Sequence, residues 1–125
     1  MSDLLSSAVF AAGGGLGAVA RHAITLVLPH RLPWSTLLVN VAGSLVLGLV
    51  AGALLSGDRT VADEAPRLVT GFCGGFTTFS AFSLEAFTLF ERGQTGAALT
   101  YVVLSVAMSL AALVLGVMVA RGFAT

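Results

Sequence analysis

The stretch GFCGGFTTFSAFS, residues 71–83, sits inside an apolar run from about Leu68 to Phe90 and differs in kind from the rest of it. It holds three glycines, two threonines, two serines and four phenylalanines. A segment in hydrocarbon must satisfy its own backbone, because no water is there to do so. Gly71, Gly74 and Gly75 disfavour a continuous helix, so a break is predicted near Gly74–Thr77. Broken membrane helices are tolerated where the freed backbone lines a cavity or is buried in protein. Such a break exposes carbonyls that suit a cation and N–H groups at the next helix start that favour an anion. Thr77 or Thr78 can cap the second half.

The rest of the chain sets the context. It has 125 residues, of which 57% are hydrophobic and 10% charged, with mean hydropathy +1.00. A soluble domain carries roughly 25% charged residues, so this chain has too little polar material to coat a globule. The reading is an all-α membrane protein with four transmembrane helices at about 4–28, 34–55, 68–90 and 96–120, forming a single domain over 1–125. About 20 apolar residues cross a ~30 Å hydrocarbon core. The second and fourth spans carry no charge, the third carries only Glu85, and the first carries Arg21 and His22 near its far end. The net charge is zero and lysine is absent, which argues against nucleic acid or an acidic partner. A single cysteine, Cys73, excludes an internal disulfide and cysteine-based metal spacing. The opening MSDLL has an acid and no base, unlike a secretory signal, so the first apolar run is expected to be retained.

Orientation follows the arginine bias of the loops. One side holds Arg59, Arg67 and Arg121; the other holds Arg31, Arg92 and Arg21. Neither side prevails. A tie is either noise in a short chain or the mark of a chain that inserts both ways. In the second case two oppositely inserted copies form an antiparallel dual-topology homodimer. Four short helices also enclose a solute path poorly, which favours an oligomer on size alone.

Polar residues within spans are costly and tend to mark function. Thr36, Asn40 and Ser44 lie four apart on one helical face, as do Tyr101, Ser105 and Ser109. Small and hydroxylated residues also let membrane helices approach and bond, and Ser44 with Gly48 and Gly52 is read that way. Asn40 brings two donors and an acceptor to mid-span, either as helix glue or facing a solute. Phe79 and Phe82 share a face; they are packing residues, or rings whose electropositive edges meet an anion. Cys73 reads as a small buried residue, and Glu85 as an interface or capping contact. His22 and His30 are not at ligand spacing, which leaves an enzyme without machinery. A small dual-topology multidrug or cation exporter is the alternative, but its coupling chemistry wants a carboxylate in the first span.

Three motifs resemble one family. GGGLGAVARH at 13–22, STLLVNVAGSLVLG at 35–48 and TGFCGGFTTFSAFSLE at 70–85 are similar to the CrcB/Fluc fluoride channels, small four-span bacterial proteins. Ser35 stands where the family usually has glycine, and His22 where it usually has an aromatic residue. Neither touches the residues expected to carry the ion. The resemblance implies a fluoride-selective channel that passively lowers fluoride in the cytoplasm, an antiparallel homodimer in the bacterial inner membrane. It implies that Asn40, Phe79 and Phe82 line each pathway, that Tyr101, Ser105 and Ser109 continue it, and that Thr36 and Thr78 join it. Arg21 would draw anions into a vestibule. Carbonyls of Gly74 and Thr77 from both subunits would hold a structural sodium ion.

Overall fold

The computed structural model describes residues 2–28, 33–57 and 64–124. These form five helices: α1 Asp3–Val27, α2 Trp34–Leu55, α3 Glu64–Phe76, α4 Phe79–Glu91 and α5 Thr95–Ala124. His30, Arg31 and Arg59 lie outside the described residues. The N-cap of α1 is Ser2, whose hydroxyl accepts from Leu5 N–H at 3.2 Å while Asp3 faces the positive end of the helix dipole. Helix α1 stops where Leu28 turns extended, at φ −86° and ψ 150°, one residue before a proline. Gly57 and Gly93 take φ of 73° and 78°, left-handed conformations that suit glycine and turn the chain after α2 and α4.

Helices α1, α2 and α5 are each long and apolar enough to cross a membrane. Helices α3 and α4 have 13 residues apiece and rise about 20 Å each, short of the ~30 Å hydrocarbon core. Large apolar side chains such as Leu16, Val27, Leu99, Val103 and Met118 point outward, as lipid contact requires. The buried apolar cluster is small and centres on Phe82, Leu89, Ala98 and Tyr101.

The expected break is present, but the glycines do not make it. Gly71, Gly74 and Gly75 all lie within α3, which stays helical through Phe76; the break is Thr77–Thr78. Glycine weakens a helix in water by exposing backbone and by its own flexibility. Within a bilayer the helical hydrogen bonds meet no competitor, and a missing side chain instead lets two backbones touch. A Cβ on Gly71 would lie 2.6 Å from Phe10 O, and one on Gly75 would run into Gly14 O. Reciprocally, one on Gly13 would lie 2.9 Å from Phe72 N, and one on Gly17 2.7 Å from Phe76 N. Helix α1 therefore packs chiefly on α3. Helix α2 packs on α5 in the same manner, with Gly52 against Val117 and Gly116 against Leu45 and Leu49. The α2–α3 and α4–α5 contacts tie these two pairs together and place the break beside the middle of α2.

Candidate functional site at the break between α3 and α4

Asn40, in the first half of α2, reaches the break. Its Oδ1 accepts from Thr78 N–H at 2.7 Å, and its Nδ2 donates to the Thr78 carbonyl at 3.1 Å. A single amide thus occupies both backbone groups of one residue. It holds Thr78 extended, at φ −154° and ψ 120°. That conformation cannot continue α3, and it makes Thr78 the N-cap of α4, its hydroxyl accepting from Ala81 N–H at 3.1 Å. Thr77 folds back instead, donating from N–H and hydroxyl to the Cys73 carbonyl at 2.9 and 2.8 Å. Close approach of α2 requires Gly43, where a Cβ would run into the Thr77 methyl.

The restarted helix carries Phe79 and Phe82, whose ring centroids lie 5.4 Å apart. Phe82 is 8% exposed and Phe79 is 77% exposed. Both rings line an open cleft of about 410 Å³ together with Asn40, Thr78, Ser105 and Ser109. Ser105 is 5% exposed, and its hydroxyl has no hydrogen-bond partner among the described residues. Ser44 and the buried Cys73 complete the wall near α3. What the cleft offers is a second Asn40 N–H, hydroxyls and ring edges, all neutral donors. No cluster of three or more His, Cys, Asp or Glu side chains that could hold a metal occurs among the described residues.

Beyond Phe82 the polar contacts run on to Glu85. Its carboxylate accepts from the Thr36 hydroxyl and from the Tyr101 hydroxyl, each at 2.8 Å, and the Tyr101 ring packs 5.3 Å from Phe82. Glu85 therefore joins α2, α4 and α5. An acid inside a span is itself the signal that marks it. Arg21 leaves α1 to donate from Nε to the Gly75 carbonyl at 3.1 Å, so it caps the end of α3 and does not line the cleft.

In a continuous helix each carbonyl accepts from the N–H four residues on. Cys73 O is satisfied by Thr77, and Gly75 O by Arg21. Gly74 O loses its partner, because Thr78 N–H is taken by Asn40, and no other donor among the described residues replaces it. Gly74 is exposed, and a Cβ there would meet nothing within 4 Å. Gly74 and Thr77 also line the cleft.

Residues 8–117 match the family model described as CrcB-like protein, Camphor Resistance (CrcB). The chain belongs to the CrcB family. It is 45% identical over 117 residues to a protein of Nitrobacter hamburgensis named Fluoride-specific ion channel FluC 1, covering 89% of this chain and 91% of that one. Proteins named Fluoride-specific ion channel FluC in Paracoccus denitrificans and Cereibacter sphaeroides are 50% identical to it, the latter over 98% of both chains. In this CrcB protein the cleft unites Asn40, Thr78, Phe79, Phe82, Ser105 and Ser109. Thr36 and Tyr101 stand behind it on Glu85, and Arg21 lies apart on the Gly75 carbonyl.

Proposed function

We propose that this protein is a fluoride-selective channel that lets the anion leave the bacterial cytoplasm passively and so lowers fluoride toxicity. The observation that carries this reading is the likeness, over nearly the whole chain, to proteins named fluoride-specific ion channels. The cleft suits such an ion. Fluoride is small and strongly hydrated, and removing its water is costly. Asn40, Thr78, Ser105 and the edges of Phe79 and Phe82 supply replacement donors without a fixed cation to trap the ion. Conduction needs several weak sites in series. Ser109 extends the row on one side; on the other, Thr36 and Tyr101 spend their hydroxyl hydrogens on Glu85 and so back the path next to Phe82. Arg21 adds a positive field near the entrance. The fluoride that enters a cell as its neutral acid would leave as the anion, driven by the inside-negative potential.

Two oppositely oriented copies complete the channel in this reading. Phe79 is largely exposed and the cleft is open on one side, so a second copy would cover both. Helices α3 and α4 together make the third of four crossings. The carbonyls of Gly74 and Thr77 fit a structural sodium ion between the copies, since Gly74 O lacks a donor and the ligands of a hard cation are oxygens. Bound sodium would supply positive charge at the junction. The exporter alternative has no matching carboxylate in α1, whose one acid, Asp3, lies in the first turn.

Efflux from liposomes holding the purified protein tests the function. Fluoride is expected to leave rapidly while chloride stays. No fluoride efflux, or equal chloride efflux, would defeat the proposal.

A further inference from the structure

We propose that Asn40 is the positioning residue for the cation-binding carbonyl of Gly74: by clasping Thr78 it stops the helix from closing over that oxygen. The inference rests on the reading above that Gly74 and Thr77 hold sodium between two copies. The geometry behind it is local. One residue earlier, the helical pattern is intact, with Thr77 N–H on Cys73 O at 2.9 Å. At the next step it stops, because Thr78 N–H lies 2.7 Å from Asn40 Oδ1. The Asn40 Nδ2 to Thr78 carbonyl bond, at 3.1 Å, keeps Thr78 from rotating back. Arg21 blocks the neighbouring Gly75 carbonyl. The combination leaves Gly74 O as the free oxygen on an exposed residue. One side chain therefore serves two sites. Its remaining N–H faces the anion cleft, while its Oδ1 keeps a cation ligand available. The two proposed sites are coupled through a single hydrogen bond.

Two substitutions separate these duties. Alanine at 40 removes the acceptor, so Thr78 N–H can return to Gly74 O and α3 gains a residue at the expense of one ligand per copy. Aspartate keeps the Oδ1 acceptor for Thr78 N–H, but it loses both Nδ2 hydrogens and adds a negative charge. Thermal unfolding of the purified dimer is followed in a sodium chloride titration against N-methylglucamine chloride at constant ionic strength. Wild type is expected to gain stability with sodium. In Asn40→Ala the half-maximal sodium concentration should rise about 10- to 100-fold, the usual cost of losing a group that orients a metal ligand. In Phe79→Ile, and in Asn40→Asp, whose acceptor is intact, it should not rise about tenfold. An Asn40→Ala dimer as sodium-sensitive as wild type overturns the inference and leaves the cation reading standing. A wild-type dimer indifferent to sodium overturns both. If Asn40→Ala does not assemble, Asn40→Asp decides: a tenfold loss of sodium sensitivity there overturns the coupling, because its acceptor is intact.

Discussion

Of the two hydrogens on Asn40 Nδ2, one is engaged by the Thr78 carbonyl and the other is free to face the cleft. Asn40→Asp removes both and adds a negative charge, which opposes an anion a few ångströms away by about 1–4 kcal/mol. Fluoride flux should fall at least about tenfold while the dimer still assembles, read by liposome efflux and by size-exclusion chromatography. Phe79→Ile, which removes a ring edge from the cleft, should also cut flux. Unchanged flux in both variants would take these residues out of the path. At Glu85, Tyr101→Phe or Thr36→Val strips one hydroxyl from a carboxylate held between helices. Each should lower stability by about 0.5–2 kcal/mol, measured as a shift in the unfolding midpoint. Asn40 and the Tyr101–Ser105–Ser109 row were legible in the sequence because polar residues four apart in an apolar helix announce a face. Their partners were not. Thr78 lies 38 positions from Asn40, and Glu85 lies 49 from Thr36, distances at which helical spacing carries no information.

The helices repeat that lesson with glycine. A break in the third crossing was readable from residues 71–83, and its place, Thr77–Thr78, falls within two residues of the expected end. Its cause was not readable. Gly71 and Gly75 are one helical turn apart and face α1, whose Gly13 and Gly17 have the same spacing. Only the packed pair distinguishes a glycine that breaks a helix from one that admits a neighbour. At Gly17 and Gly75 an added methyl must push two backbones apart. Gly17→Ala and Gly75→Ala should each destabilise the fold by about 1–3 kcal/mol, read as lowered unfolding midpoints. Gly96→Ala, where a Cβ meets nothing within 4 Å, should be neutral or slightly stabilising through helix propensity. Equal losses at all three positions would show that close approach is not the reason for these glycines.

For the molecule as a whole, the antiparallel proposal makes a prediction that does not depend on transport. Cys73 is the one native cysteine and is buried, whereas Ser2 is exposed at the N-terminus. In Ser2→Cys, a membrane-impermeant thiol reagent applied to intact cells should label about half of the copies, and the remainder only after permeabilisation, since dual insertion divides the chains evenly between orientations. Labelling of all copies from one side, or of none from outside, would exclude dual insertion. The short lengths of α3 and α4 also bear on how the chain enters the bilayer during synthesis. A nascent chain that has emerged only as far as Phe76 ends in a helix too short to reach across. Only with Phe79–Glu91 added is the crossing long enough for the hydrocarbon core. Because α1 precedes α3 in the chain, its Gly13–Gly17 face is available to receive Gly71 and Gly75. A circular permutant that made α1 last would ask α3 to enter lipid with nothing to lean on.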